Sequence, residues 1–408
     1  MSQTIKTLSD GDITRKALAI LHNKLIFCKT INRQYDDRFA RSGAKNGGSL
    51  EIRDPNQFTV RTGAVMDVQD VTETTQTLTV ATQKGVDVNF SSVELTLSMD
   101  DFADRILEPA MARLAADLDS TVITASYKDV YNHVNTAFGT ASDLQDVQSA
   151  RAKLSKGLAP TSNRYLLMES LGMNAVVHAG RGFFSPASEI SKQYTEGLMG
   201  RAYGFDFYET EMIPTHTNGT RTDTTPVVDT SSAIVNGTAT IAITAAASST
   251  TLTKGDIFTI AGVYAVNPET KAAYAHLQQW VVTTAITATS TAVTVAVSPT
   301  PYSSGAKQNI SIPTPASSAV VNLTAGGSGA ASTAYPQSMA YNRDAFTLVT
   351  ADLEMPKGVD FAAREVYDGI SLRIVRKYDI VNDKFPCRMD VLFGYKTIRP
   401  EWACRLSG

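Results

Sequence analysis

The clearest periodic pattern in the chain is a stripe of apolar residues that recur every four positions between residues 100 and 126. The stripe consists of Phe102, Ile106, Ala110, Leu114, Leu118 and Val122. This spacing places the side chains on one face of an α-helix. Proline is tolerated in the first turn of a helix. The pattern therefore predicts a short helix that ends near Glu108 and a longer helix with Pro109 in its first turn.

Three further segments have a helical pattern. Residues 12–30 place their apolar side chains near one face, and Asp12 is a candidate N-cap. Residues 142–156 are followed by Gly157, a residue that commonly ends a helix. A fourth helix is predicted at about 168–178.

Alternation of β-branched and polar residues predicts strands before and after these helices. Residues 72–80 and 86–97 alternate in this way and predict a long β-hairpin over 49–97, with few apolar residues near its tip. A long polar hairpin is not stable alone, so it is expected to lie on a neighbouring surface. Further strands are predicted at 370–378 and 388–393.

The middle of the chain differs sharply in composition from its flanks. Residues 213–340 contain eight charged residues in 128, whereas the other 280 residues carry 69. Within this stretch, residues 238–244 and 291–297 alternate small polar with β-branched residues. The composition change predicts a separate all-β domain at about 224–338, inserted into another domain. Trp280 is expected to anchor its core.

Composition and charge exclude several classes of protein. The chain has 408 residues, a formal net charge of −3 and three cysteines. It is not a strongly basic nucleic-acid binder. The cysteines are far apart without a CxxC motif, which argues against a disulfide scaffold or zinc module and suits a reducing compartment. Residues 1–12 are polar, and no window has 18 consecutive apolar residues. We expect a protein that starts soluble in a cytoplasm, with no membrane contact.

The chemistry of catalysis is weakly represented. The histidines are His22, His133, His178, His216 and His276. No two of them have helical ligand spacing, so a metal or triad site would need convergence in space. The acids between Asp100 and Glu108 are interpreted as a helix start, and the glycine-rich residues 320–329 as a linker. We expect no enzyme, metal or cofactor site.

Two single residues are assigned structural roles. Cys28 lies on the apolar face of its predicted helix and is expected in the core. Trp402 is expected to hold the C-terminal segment in place.

A basic segment is the one charge feature of interest. Residues 13–46 carry eight basic and two acidic residues, a net charge of 8 − 2 = +6. The segment is either a solvated helix face and linker or an electrostatic contact with an acidic partner or nucleic acid, sensitive to salt.

The order of these parts resembles the major capsid proteins of tailed phages with the Hong Kong 97-type fold. It is more closely similar to the coat proteins of the short-tailed Salmonella phages, which carry an inserted six-stranded barrel. The matching segments are Asp100–Leu118, Gly204–Asp206, Lys254–Val263 (KGDIFTIAGV) and Tyr395–Trp402 (YKTIRPEW). One departure is that the hairpin near 234–244 is short and uncharged. The relatives have a long charged loop that crosses a two-fold axis, so the resemblance leaves that contact in doubt here.

The resemblance implies an α+β, Hong Kong 97-like capsid fold. The implied parts are an N-terminal arm (1–46), an extended-loop hairpin (47–75), a peripheral domain with the spine helix (76–140), an axial domain (141–223), an inserted β-barrel (224–338), and the remainder of the axial and peripheral domains (339–408).

The resemblance also implies function and partners. The chain is expected to self-assemble, as hexamers and pentamers, into the icosahedral shell around a double-stranded DNA genome. A separate scaffolding protein and a portal are expected partners, with only weak contact to packaged DNA. The chain is expected in the virion, assembled in the host cytoplasm. The predicted assembly-interface residues are Arg33, Arg38, Arg41, Arg53, Arg61, Asp67 and Asp70.

Two alternatives remain at this stage. The Thr-, Ser- and Ala-rich β region also suits a secreted or surface adhesin, although the polar start and the charged flanks argue against it. An enzyme with a β lid is the other alternative, and no catalytic motif supports it.

Overall fold

The computed structural model describes most of the chain. The described residues are 10–35, 49–66, 68–70, 73–91, 106–134, 144–180, 200–220, 227–229, 234–244, 251–288, 292–311, 319, 321–323, 332 and 334–407. The chain divides into two compact units. Unit 1 comprises Met1–Arg53, Thr75–Val122 and Phe346–Ile398, and unit 2 comprises Asp54–Thr74, Ile123–Ala345 and Arg399–Gly408.

Within the described residues, the helices are α1 (Asp10–Lys24), α2 (Phe27–Thr30), α3 (Glu108–Ser126), α4 (Leu144–Lys156) and α5 (Ser170–Gly180). The strands are β1 (Asn32–Tyr35), β2 (Ser49–Arg53), β3 (Thr75–Thr79), β4 (Thr82–Ser91), β5 (His133–Val134), β6 (Arg164–Met168), β7 (Arg201–Ala202), β8 (Phe205–Glu209), β9 (Thr215–Thr217), β10 (Val227–Val228), β11 (Thr240–Thr244), β12 (Thr251–Leu252), β13 (Ile257–Val266), β14 (Ala273–Val282), β15 (Ile286–Thr287), β16 (Ala292–Ser298), β17 (Val321–Leu323), β18 (Ala334–Asn342), β19 (Phe346–Ala351), β20 (Phe361–Tyr367), β21 (Ile370–Arg376), β22 (Lys384–Thr397) and β23 (Ala403–Ser407).

Unit 1 is built on a six-stranded sheet in the order β1-β19-β22-β21-β20, with β4 also paired to β22. Strand β22 has 14 residues, and this length lets it pair with β19, β21 and β4 along its course. The prediction of one hairpin over 49–97 is therefore wrong. The hairpin consists of β2 and β3 alone, because β4 finds its antiparallel partner in a strand near the C-terminus.

The base of the β2–β3 hairpin is held by a small apolar cluster. Leu78 and Val80 are buried against Val349 and Ala351, and Leu50 packs beside them. A side chain at position 394 would clash with the carbonyl oxygen of Thr79, so the glycine there permits the close approach of this hairpin to β22. The hairpin is thus anchored at its base, and the loop at its tip is the part available for other contacts.

The long helix α3 has the predicted start and the predicted apolar face. It begins at Glu108 with Pro109 in the first turn. Leu114, Leu118 and Val122 are 2%, 0% and 0% exposed. From Ala110 onward the four-residue repeat thus marks the buried face correctly. Phe102 and most of the predicted short helix lie outside the described residues.

Unit 2 contains a seven-stranded sheet in the order β5-β23-β18-β6-β8-β7, with β9 paired to β18. Helices α4 and α5 pack on it through a core that includes Leu154, Val176, Phe205 and Leu406. Both helices were predicted. Trp402 holds the C-terminal segment as expected, since its indole N–H donates to the carbonyl oxygen of Gly157 at 3.0 Å.

The inserted β region of unit 2 is a six-stranded antiparallel sheet in the order β10-β11-β16-β14-β13-β17. It is nearly closed, because the backbone N–H of Val228 in β10 donates to the carbonyl oxygen of Ala319, next to β17, at 2.9 Å. Its core is formed within the region, and Trp280 is fully buried against Phe258 at a ring separation of 5.9 Å. The predicted role of Trp280 is confirmed.

We expect residues 224–338, expressed alone, to fold as an autonomous module. The main apolar core of the described part comes from residues between Val228 and Val321, so removing the flanks leaves that core intact. The module should be less stable alone than in the full chain, because Asp256 loses its contacts with His216 and Gly219. Circular dichroism should show a β-type spectrum and a cooperative melt. A random-coil spectrum without a transition would show that the module depends on its host.

Candidate assembly surfaces and buried polar clusters

The loop between β2 and β3 exposes apolar side chains to solvent. Val60, Val65 and Met66 are 97%, 85% and 77% exposed, and Phe58 and Val68 are also largely exposed. The expectation that the tip has little apolar content is wrong, because the apolar residues lie in the loop and not in the paired strands. Apolar side chains grouped on a solvent-exposed loop are typical of a protein–protein contact.

Local hydrogen bonds give this loop a defined shape. The backbone N–H of Thr59 donates to Gln69 Oε1 at 2.8 Å, and Gln69 Nε2 donates to the carbonyl oxygen of Thr59 at 2.7 Å. The Arg61 guanidinium donates to the carbonyl oxygen of Gly63. A loop that is partly ordered before binding loses less conformational entropy when it docks.

The predicted interface residues occupy three different settings. Arg53, Arg61 and Asp70 are exposed on or beside the loop. Arg38, Arg41 and Asp67 lie outside the described residues. Arg33 is in strand β1, which pairs in parallel with β19. Their role in assembly stays a prediction.

Arg33 is engaged within its own unit. Its side chain is 9% exposed, and Nη2 lies 2.6 Å from Asp368 Oδ2. His22 Nε2 contacts the same carboxylate at 2.8 Å. Burial raises the pKa of Asp368, but the His22 hydrogen bond and the Arg33 charge outweigh it and hold the pKa below its ordinary value. Arg33 thus helps to fix β1 to the unit.

A buried carboxylate on α3 was missed by the sequence reasoning. Asp119 is 4% exposed and accepts hydrogen bonds from the backbone N–H groups of Ile26, Phe27 and Cys28 at 2.7, 3.3 and 2.8 Å. It therefore satisfies the unpaired amides at the start of α2. Burial raises the pKa of Asp119 above its ordinary value, and these hydrogen bonds offset only part of that rise. Cys28 is buried, as predicted.

Three residues distant in sequence meet in a buried cluster of unit 2. His216 Nε2 lies 2.8 Å from Asp256 Oδ1, and Tyr127 Oη lies 3.2 Å from His216 Nδ1. Burial raises the pKa of Tyr127, so its hydroxyl stays protonated at neutral pH. The expectation of singly bonded or solvated histidines is wrong for His216, because the fold brings an acid and a tyrosine to its two ring nitrogens.

Arg405 packs beside this cluster. It is fully buried, its Nη2 donates to the carbonyl oxygen of Gly255 at 2.8 Å, and its guanidinium lies 5.7 Å from the centre of the Tyr127 ring. Burial lowers its pKa to about 10, which still leaves it charged at neutral pH. The cation compensates the buried Asp256 carboxylate. The hydroxyl, imidazole and carboxylate of Tyr127, His216 and Asp256 follow each other as in a catalytic triad. All three are buried, so the cluster is suited to structural support.

Two other kinds of feature are absent from the described part of the chain. No group of three histidine, cysteine or acidic residues is placed to hold a metal ion there. No helix among the described residues is long and apolar enough to span a membrane.

The chain is similar to several solved phage structures. It is 11% identical to a chain of Mycobacterium phage Che8, with a TM-score of 0.45 over 94% of this chain and 90% of that chain. It is 6% identical to a chain in the capsid of Ralstonia phage GP4, with a TM-score of 0.46 over 93% and 86%. It is 10% identical to a chain in the mature capsid of bacteriophage PhiM1, with a TM-score of 0.44 over 94% and 86%. No curated protein sequence matches the chain significantly.

A family model described as "P22 coat protein - gene protein 5" matches residues 13–408. A match of this extent places the chain in the class of phage coat proteins. The chain belongs to the P22 coat protein family. It is a major capsid protein, a component of the virion that forms its shell through self-association. The predicted α+β capsid fold is confirmed, and the adhesin alternative has no support.

Proposed function

We propose that the loop 54–74 is a main contact between one coat subunit and the next in the shell. The observation that supports this is the exposure of its apolar side chains, above all Val60, Val65 and Met66. Burying one such side chain on a neighbour contributes about 1.5–3 kcal/mol. Repeated in every copy, this is enough to drive association.

The charged residues on and beside the loop set the register of the contact. Arg53, Arg61 and Asp70 are exposed, and exposed ion pairs contribute only about 0–1 kcal/mol each. Such charges discriminate between correct and incorrect arrangements more than they add affinity. Asp67 has the same proposed role by its position in the sequence.

The basic segment 13–46 holds a separate scaffolding protein with an acidic surface during assembly. Because Arg33 is engaged by Asp368 within its own unit, the contact is assigned chiefly to Arg38 and Arg41. Contacts of this type weaken as salt rises. With a net charge of −3 over the whole chain, the shell binds the packaged double-stranded DNA only weakly. A portal is the further partner, and assembly takes place in the host cytoplasm.

The protein performs no catalytic step in this proposal. The Tyr127–His216–Asp256 arrangement is the nearest approach to a catalytic constellation in the described residues. All three side chains are buried, so neither water nor a substrate has access to them.

Changing Val60 and Val65 together to serine should impair assembly without unfolding the subunit. Both side chains are exposed in the subunit, and exposed substitutions change folding stability by no more than about 0.5 kcal/mol. Loss of their burial at the contact should raise the protein concentration needed for assembly at least about tenfold, since each 1.4 kcal/mol is a factor of ten. Light scattering against protein concentration measures this.

Leu171→Ser is the matched control, because Leu171 is also largely exposed but lies on α5. It should assemble like the parent. In addition, a protease should cut the parent between residues 54 and 70 in free subunits and spare this loop in shells. Equal assembly of parent and loop variant, or equal cutting in both states, would contradict the proposal.

A further inference from the structure

A cavity in unit 2 lies between the last turn of α4 and strand β14 of the inserted sheet. Its volume is about 90 Å³ and it is partly open to solvent. Lys153 and Lys156 line it from α4, and Tyr274, His276 and Gln279 line it from β14. A water molecule needs roughly 10–15 Å³ by this measure. The cavity therefore has room for a small polyatomic ligand.

Two ammonium groups line this cavity, and neither of them is paired with a carboxylate in the described contacts. Lys153 Nζ donates to Gln279 Oε1 at 3.1 Å, and Lys156 Nζ donates to His276 Nδ1 at 3.2 Å. The Lys156 ammonium also lies 5.3 Å from the centre of the Tyr274 ring. Among the residues that the structure describes, no carboxylate forms an ion pair with either lysine. Each ammonium has three N–H donors, so most of them remain available.

His276 contributes one more donor. Burial, together with the charges of Lys153 and Lys156, lowers its pKa to about 4, so the ring is neutral at pH 7. Its Nδ1 accepts from Lys156. The proton of the neutral ring therefore resides on Nε2, which is a donor.

Gln279 and Tyr274 already use their polar side-chain atoms within the protein. Gln279 Oε1 accepts from the backbone N–H of His133 as well as from Lys153, and its Nε2 donates to the carbonyl oxygen of His133. The Tyr274 hydroxyl donates to the carbonyl oxygen of Lys156. The lysine ammonium groups thus remain as surplus donors and as a source of positive charge in the cavity.

Glu401 and Tyr131 are the other titratable groups of the lining, and Glu401 forms no ion pair with Lys153 or Lys156. Burial raises the pKa of Glu401, while the Arg399 charge lowers it. Burial also raises the pKa of Tyr131, so its hydroxyl stays neutral. Burial and the neighbouring Lys156 lower the pKa of Lys153. This is the pattern of a cation that lacks a counter-charge.

We propose that this cavity binds an oxyanion group, a carboxylate or a phosphate, through the ammonium groups of Lys153 and Lys156 and the Nε2–H of His276. Charge-assisted hydrogen bonds to oxyanions are the strongest that these donors form. A bound oxyanion would also link α4 to the inserted sheet at β14. This site is independent of the loop contact proposed above, since it lies on other elements.

The test is a titration of the full-length subunit with sodium phosphate at constant ionic strength, with sodium chloride as the reference salt. NMR of the His276 ring reports both occupancy and protonation. Because an anion favours the protonated ring, saturating phosphate should raise the pKa of His276 by about one unit or more. In a parallel arm, a short peptide of aspartate and glutamate is compared with its asparagine and glutamine twin.

The variants Lys156→Met and Lys153→Met/Lys156→Met should weaken binding at least about tenfold for the double change, a loss of 1.4 kcal/mol. Lys307→Met is the matched control, because Lys307 also lies over a tyrosine ring, that of Tyr302 at 6.0 Å, but outside the cavity. It should bind like the parent. The single variant should fold normally, because Lys156 is exposed. It therefore still tests the proposal if the double variant does not fold.

The two arms distinguish the source of the oxyanion. Binding of phosphate alone identifies a free anion, and tighter binding of the acidic peptide than of its amide twin identifies a carboxylate from a protein segment. No change at His276 with either probe up to about 20 mM would overturn the proposal, because this concentration would nearly saturate a site with a Kd of about 1 mM. Equal binding by parent and both lysine variants would overturn it too.

Discussion

Replacing Asp256 with alanine should destabilise the inserted sheet by about 3–5 kcal/mol, the usual cost of removing one partner of a buried ion pair. The Asp256 side chain is fully buried. It lies 2.8 Å from His216 Nε2 and accepts hydrogen bonds from the backbone N–H groups of Gly219 and Thr253. Alanine removes the acceptor from these three donors and from the Thr253 hydroxyl at once, and it removes an opposite charge from the surroundings of the Arg405 cation.

Urea unfolding followed by tryptophan fluorescence measures this loss, because Trp280 is buried in the same sheet. Asp256→Asn keeps the shape and one acceptor oxygen, so an intermediate loss of about 1–3 kcal/mol is expected. Asp229→Ala is the control. Asp229 is an exposed acid of the same region, and its removal should cost no more than about 0.5 kcal/mol. Equal stability of the Asp256 and Asp229 alanine variants would show that the buried cluster does not support the sheet.

Truncating Leu118 or Leu114 to alanine should cost about 2–5 kcal/mol through the cavity left behind in unit 1. The two side chains are 0% and 2% exposed in the middle of the apolar face of α3. A loss of this size is a large part of the stability of a domain. The expected phenotype is a coat protein that is insoluble or temperature-sensitive.

Arg113→Ala tests whether the effect belongs to the buried face, since Arg113 is exposed on the same helix. It should melt within about 1 °C of the parent. The leucine variants should melt several degrees lower, at about 2–4 °C per kcal/mol for a unit of this size. Leucine variants that melt with the parent would show that this face carries no packing energy.

Local patterns predicted the elements that depend on short-range physics. The four-residue repeat and Pro109 located helix α3 and its start, because a helix buries whichever face carries its apolar side chains. Alternation located β11 and β16, and the change in charge density marked the inserted region. Each of these signals arises from residues within one or two turns or one strand of each other.

Strand pairing and buried polar contacts needed the tertiary structure. Strand β4 was assigned to the wrong partner because its true partner, β22, lies about 300 residues away in the chain, and alternation specifies a face and not a neighbour. For the same reason the pairing of Arg33 with Asp368 was not visible. The apolar content of the loop between β2 and β3 was predicted wrongly, because only the structure shows which residues belong to the paired strands and which to the loop.

Sequence alone determined the inserted all-β region and the main helices, because changes in composition and short apolar repeats are visible along the chain. The coat-protein family was a resemblance at that point, and the family match showed it. Only the tertiary structure decided which polar groups share a buried environment: Asp119 beneath α2, His216 between Tyr127 and Asp256, and the two lysines facing His276. The physical reason is that buried polar side chains do not recur at regular spacing, so the sequence gives no pattern that identifies their partners. Their burial is tolerated only when folding supplies those partners, and the choice is made by the packing of elements distant in the chain.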